Sequence, residues 1–172
     1  MQSSNRLSVL GFLVHAAFFI VVGGQIALVF ILEPAWDIPW LEWLGYGLWA
    51  ASAILGWLPI IIFRKRGRVA DGQSYVKTTR LVTDGLYAVV RHPQYLALIL
   101  VGLAGVCFTP HWATIAGASV ILIATYASML SEDKNLLEKF GEEYREYMLR
   151  VPRANILWGL VKLIFSPRRP VK

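Results

Sequence analysis

The sequence predicts an all-α fold: a polytopic integral-membrane helical bundle with four main spans, then a C-terminal amphipathic segment and a short apolar helical segment. Three observations lead there. Hydrophobic residues make up 56% of the 172 and charged residues 16%, against roughly 45–50% and 25% in soluble domains. The apolar residues are grouped into long blocks, and the fixed charges fall almost entirely between and after those blocks.

Residues 9–32 carry no formally charged side chain, and a helix of that length reaches roughly 36 Å, enough for a hydrocarbon core of about 30 Å. This block is too long for the apolar core of a cleaved leader, and Glu33-Pro34 is a poor cleavage context, so a retained span is expected. Residues 43–63 give a second uncharged run. The block from Tyr95 to Leu130 is interrupted by Thr109, Pro110 and His111, which divides it into two helices joined by a tight turn. Starting the third helix at Pro93 makes it short for a span, a mismatch that either local thinning of the bilayer or a deeper placement accommodates. Gly102, Gly105, Gly117 and Ala118 offer small surfaces for close backbone approach in an antiparallel hairpin.

The charge pattern sets the expected topology. Residues 33–42 hold three carboxylates and no base, whereas 64–94 hold Arg64, Lys65, Arg66, Arg68, Lys77, Arg80 and Arg91 against Asp71 and Asp84. Nine bases follow Leu130. The positive-inside rule then puts both termini and the 64–94 connection on the cytoplasmic side of a cytoplasmic or inner membrane. The same distribution accounts for the net charge of +6 through contact with anionic headgroups. No finger, helix-turn-helix or RNA-binding motif accompanies it, so nucleic acid is not an expected partner. Cys107 stands alone, and no Cys/His spacing suits zinc, so neither a disulfide nor a metal is expected. The spans show no repeated polar row that would line a channel.

Beyond Ser131, Leu136, Leu137, Phe140, Tyr144 and Tyr147 recur at helical spacing and form one apolar-aromatic face. Glu146 and Arg150 are spaced to pair, Gly141 marks a bend, and Pro152 ends the helix near Arg150. Residues 154–165 are apolar but too few to span unaided; interfacial, re-entrant and tilted placements all fit.

Two polar segments carry the chemistry. In GLYAVVRHPQY, residues 85–95, Pro93 suits the first helical position, and the open N–H groups of that turn beside Arg91 can hold a carboxylate or phosphate. Tyr87, Arg91 and Tyr95 are spaced i,i+4, although Pro93 is able to turn the chain between them, and His92 can donate to an anion or accept a proton. The plainer reading makes Arg91 and His92 headgroup anchors. In the other segment, Glu132 and Asp133 can accept hydrogen bonds from ribose hydroxyls or pair with Arg91; the plainer reading is a solvated helix start with favourable negative charge.

Together, LVTDGLYAVVRHPQY (81–95) and EDKNLLEKFGEEYREYMLRVPR (132–153) resemble the integral-membrane methyltransferase family that includes isoprenylcysteine carboxyl methyltransferases and phospholipid N-methyltransferases. The N-terminal block is similar to the family's glycine-x-tyrosine followed by arginine-histidine-proline-x-tyrosine. The C-terminal block is similar to its acidic pair, phenylalanine-glycine, two tyrosines and valine-proline-arginine; the pair is typically two glutamates, and here its latter member is Asp133. The resemblance implies a single methyltransferase domain over 1–172, with 81–165 as the half that binds S-adenosylmethionine. It implies that Tyr87, Arg91, His92 and Pro93 surround the methionine end with Gly85 permitting close backbone approach, that Tyr95 belongs to the cofactor site, and that Glu132 and Asp133 face the ribose. Tyr144, Tyr147, Arg150 and Arg153 would close the cytoplasmic side, with Arg91, His92, Arg150 and Arg153 as the candidate catalytic residues. The implied acceptor is a membrane lipid or other apolar molecule: a prenylcysteine carboxylate, a phospholipid amine or a small thiol. Two other readings compete, a non-enzymatic assembly or lipid-binding protein and a related membrane reductase.

Overall fold

The computed structural model describes residues 20–66 and 80–165. Every regular element among them is helical: α1 (Ile20–Ile31), α2 (Pro39–Arg66), a single 3-10 turn (Gly85–Ala88), α3 (Pro93–Phe108), α4 (Trp112–Phe140), α5 (Glu142–Arg150) and α6 (Ile156–Phe165). Pro39 and Pro93 open α2 and α3 at the position where a missing N–H costs nothing. Two helices are long and apolar enough to cross a membrane, Pro39–Ile62 within α2 and Trp112–Phe140, while α1, α3 and α6 are shorter apolar helices. The first expected span lies partly on residues 9–19, outside the described residues.

α3 has the expected start and length, and Thr109-Pro110-His111 forms the connection to α4. One expectation about α4 fails: the helix does not give way to a new one at Ser131 but runs on without interruption to Phe140. The sequence Ser131-Glu132-Asp133-Lys134 contains no glycine or proline to stop it. The break comes at Gly141, whose φ of 58° lies in the left-handed region that a side chain disfavours. α5 leaves from there in a new direction, so the bend expected at this glycine is present.

The chain divides into two compact units, Met1–Ala51 with Leu98–Thr125 and Ser52–Ala97 with Tyr126–Lys172. In the first unit, Gln25 of α1 is buried, and its amide donates to the carbonyls of Gly102 (3.2 Å) and Thr114 (3.0 Å). The side chain occupies the notch left by Gly105 and Gly117, while Gly102 brings α3 against Ala118 of α4. The small residues of the expected hairpin thus serve two packing tasks, helix against helix and glutamine against both. The turn is closed by Thr114 Oγ1, which donates to the Thr109 and His111 carbonyls at 2.7 Å. His111 Nδ1 accepts from the Ala113 N–H at 3.1 Å and caps α4.

In the second unit, Gly56 of α2 approaches Ala97 of α3, and Gln94 donates to the Gly56 carbonyl at 3.5 Å. Tyr144, Tyr147 and Val151 form a buried cluster with Leu81, Leu136, Leu137, Phe140 and Met148 packed around it.

A methyl group on Gly117 would run into Gln25 Oε1. Gly117→Ala is therefore expected to cost about 1–3 kcal/mol, and most of that cost should vanish when Gln25→Ala is combined with it. Thermal unfolding of the two single variants and the double variant in one detergent checks this coupling.

Candidate functional site

The candidate site lies wholly in the second unit and is built from three stretches of chain: residues 85–95, the end of α4, and α5 with the segment that follows it. Gly85 has φ 62°, which lets the chain turn from the extended Asp84 into the 3-10 turn. Tyr87 is buried in that turn, and its carbonyl accepts the Tyr147 hydroxyl at 2.6 Å. Residues 89–92 are not α-helical. Tyr87, Arg91 and Tyr95 therefore do not share one helical face, although their spacing would allow it. The backbone of 91–92 pairs instead with 152–153: Arg91 N–H donates to the Pro152 carbonyl (3.0 Å) and His92 N–H to that of Arg153 (3.1 Å). Proline at 152 supplies an acceptor there and needs no donor satisfied in return.

Asp133 is the centre of the cluster. Its Oδ1 accepts from Arg91 Nη1 (2.7 Å), His92 Nε2 (2.7 Å) and the Tyr144 hydroxyl (2.5 Å), and its Oδ2 accepts from Arg153 Nε (2.8 Å). The carboxylate, Arg91 and His92 are all buried. Arg91 also donates through Nε to the Val151 carbonyl at 3.0 Å, which fixes the plane of its guanidinium. Two guanidiniums against one carboxylate leave an excess of one positive charge before His92 is counted. Such a group is tolerated out of water only because each charge is hydrogen-bonded as well as paired.

The surrounding phenols respond to the same burial. Burial, reinforced by the Asp133 hydrogen bond, pushes the Tyr144 hydroxyl well above its ordinary value of 10.0. Burial raises Tyr147 in the same direction. Burial works against the charge of Arg153, but its bonds to Asp133 outweigh that and raise its pKa above the usual value.

The structure brings Arg91, His92, Asp133, Tyr144 and Arg153 together, with Tyr147 and Tyr87 adjoining. Pro93 and Tyr95 open α3 beside them, and the His92 and Tyr95 rings meet edge to face at 5.7 Å. Glu132 is half-buried. Arg150 is not part of the cluster. It is exposed and paired with Glu146 at 3.9 Å, the i,i+4 partner expected from the sequence. Tyr126 was not anticipated: its hydroxyl accepts from Arg153 Nη1 at 3.2 Å, and the guanidinium lies 5.5 Å from its ring centroid. Its position seven residues before Asp133, two turns along the same helix face, was the available signal. Among the described residues no three His, Cys, Asp or Glu side chains are grouped to hold a metal ion.

Residues 68–138 match the model of the isoprenylcysteine carboxyl methyltransferase family. The chain is 30% identical over 145 residues to methanethiol S-methyltransferase 2 of Bradyrhizobium diazoefficiens, covering 78% of this chain and 49% of that protein. It is 30% identical over 98 residues to the protein-S-isoprenylcysteine O-methyltransferase of Schizosaccharomyces pombe, covering 52% of this chain and 42% of the relative. A protein-S-isoprenylcysteine O-methyltransferase B of Arabidopsis thaliana is 27% identical over 100 residues, covering 53% of this chain and 51% of its own. The chain thus spans about half the length of these curated relatives. No solved structure matches it significantly.

Asp133→Ala strips the common acceptor from four donors and leaves Arg91 buried without its anion, so a loss of about 3–5 kcal/mol is expected in an unfolding titration. The raised phenols give a pH signature. Their contribution to stability is complete below the ordinary tyrosine value of 10.0 and is lost as pH rises through the higher folded values. In an alkaline titration read by tyrosinate absorbance, Tyr144 and Tyr147 should ionise only above the ordinary range, with unfolding.

Proposed function

We propose that this chain, a homologue of isoprenylcysteine and methanethiol methyltransferases, is a membrane enzyme that transfers a methyl group from S-adenosylmethionine to an apolar acceptor of prenylcysteine or thiol type. The observation that carries this reading is the Asp133 cluster. It draws the 91–92 segment, the end of α4 and Arg153 into one charged group, and these are the stretches through which the sequence resembles the family.

The residues present fit the donor. The excess positive charge of Arg91 and Arg153 over Asp133 suits its carboxylate, and the first-turn N–H groups after Pro93 point the same electrostatic way. Glu132 makes no hydrogen bond to another described residue, so its oxygens are open to ribose hydroxyls, whereas all of Asp133's interactions are already within the protein. In this reading Asp133 orders the site and Glu132 touches the nucleoside. Gly85 and Tyr87 shape the backbone near the methionine end, and Tyr144 and Tyr147 hold the pocket from the α5 side.

When bound, the donor supplies a methyl group already activated by its positive sulfur, so alignment and electrostatics carry the catalysis. Arg91 and Arg153 fix the charged end of a ligand. An ionised carboxylate can only accept, so the His92 nitrogen facing Asp133 carries the hydrogen, and Nδ1 is left as the acceptor of the neutral ring. That nitrogen is the candidate to take a proton from a thiol, while a carboxylate acceptor needs no base. Arg150, exposed and paired with Glu146, is assigned an outer role at the cytoplasmic mouth.

The same reading sets the membrane arrangement. α2 and α4, with α1 and α3 as shorter partners, form four spans of one integral-membrane domain over 1–172. Residues 81–165 form the cofactor half, and both termini lie on the cytoplasmic side. α4 is roughly 43 Å long, so about two and a half of its turns emerge from a hydrocarbon core of about 30 Å and carry Glu132 and Asp133 into the headgroup layer.

Calorimetric titration of the nanodisc-held chain with S-adenosylmethionine tests the reading. Saturable binding is expected, weakened about ten- to hundredfold in Glu132→Gln with little change in thermal stability, since Glu132 lies outside the Asp133 bonds. Arg91→Ala should lose both binding and stability. Labelled-methyl transfer to a prenylcysteine analogue, a small thiol and phospholipid amines in parallel then identifies the acceptor. Failure of the folded chain to bind the donor would favour an assembly or lipid-binding role.

A further inference from the structure

α6 presents an apolar face to the outside. Leu157, Trp158, Leu160, Val161, Ile164 and Phe165 are 41–80% exposed, and at 3.6 residues per turn they occupy one continuous arc of roughly 160°. The opposite side holds Ile156, Gly159 and Leu163, and Gly159 is buried. A methyl group on Gly159 would run into the Val89 carbonyl oxygen, so α6 presses its backbone directly onto the chain two residues before Arg91. Leu149 of α5 is a further exposed apolar residue, and Lys162 binds its carbonyl at 3.0 Å while lying 5.9 Å from the Trp158 ring centroid.

Three observations identify what covers this face. With ten residues, α6 is roughly 15 Å long, half of a hydrocarbon core, so it cannot cross but can lie in the boundary layer. After Glu146 the sequence contains no acidic residue, while Lys162, Arg168, Arg169 and Lys172 are basic; this matches an anionic lipid surface. Trp158 beside Lys162 at the edge of the apolar arc is an arrangement suited to the headgroup level.

We propose that α6 is a lipid-seated strap: its outer face lies at the headgroup–acyl boundary of an anionic membrane, and its inner face, through Gly159 on Val89, holds the Arg91–His92 segment in place. The link to the site is short. α6 begins three residues after Arg153, and 152–153 pair with the backbone of 91–92. Seating the outer face in lipid braces both contacts at once, so lipid composition sets how well the site is formed. The coupling to donor binding rests on the methyltransferase reading; the seating itself does not.

The test uses the full chain in nanodiscs, with Cys107→Ala and an environment-sensitive fluorophore on Ile164→Cys, repeated with Leu157→Cys so that a single badly folded variant does not decide the result. In anionic nanodiscs, quenching by spin-labelled lipid and protection from aqueous iodide are expected at both positions. Iodide quenching without lipid quenching overturns the proposal, as does protection from both, which would mean that protein covers the face. Calorimetry with S-adenosylmethionine in the same discs reads the coupling. Moving to zwitterionic lipid, or Lys162→Glu in anionic lipid, is expected to shift the label toward water and weaken binding roughly fivefold. Unchanged affinity after the label has left the lipid overturns the strap role. A label in lipid with no donor binding in any disc sinks the methyltransferase reading and leaves the seating intact.

Discussion

A single carboxylate accepting from Arg91, His92, Tyr144 and Arg153 is the constraint on which the second unit depends. Those donors come from three separate stretches of the chain, and Asp133 is the one carboxylate that all four share. An ion pair hidden from water gains little net energy by itself, because desolvation offsets most of the attraction. What it supplies is specificity. Any arrangement that separates 91–92 from 153 strands a charge, and one that turns α5 away from α4 costs Asp133 its bond from Tyr144. The backbone pairing of 91–92 with 152–153 and the Tyr147 bond to the Tyr87 carbonyl then follow from, and reinforce, the same closure.

Much of this was legible from residue order, and the failures have physical causes. Pro93 as a helix start, Gly141 as a break and the Glu146–Arg150 pair are local features, set by backbone chemistry within a few residues. The composition change at Ser131 suggested a new helix, but polarity is not a stop signal, and α4 continues through it. Glu132 and Asp133 are both expected from the resemblance to face the ribose, Asp133 less securely because its side chain is shorter. Adjacent residues on a helix point about 100° apart, so Asp133 is buried and its neighbour only half so. Arg150 and Arg153 were likewise grouped together, yet Pro152 separates a helical residue that pairs locally from one that reaches back to α4. Gln25 and Tyr126 were missed because each acts across a long sequence separation, through contacts that no local pattern encodes.

The two units solve the problem of polarity in apolar surroundings differently. Around Gln25 a neutral amide supplies backbone carbonyls with extra donors, and glycines make room for it. Around Asp133 the groups are ionic, and every one is tied to at least one neighbour. A neutral amide suits a region where the helices are apolar on all sides. A charged cluster suits the end of α4, where polar residues begin.

The break at Gly141 governs more than helix direction. On an uninterrupted helix, positions 133 and 144 would stand about 16 Å apart along the axis, far beyond the reach of a tyrosine hydroxyl. Here the chain doubles back, and the two groups touch. The length of the arc between them is therefore a ruler: adding or removing one residue would swing the phenol by about 100° and take it out of register with the acid. Side chains along that arc are free to vary where they face water, but its length is not.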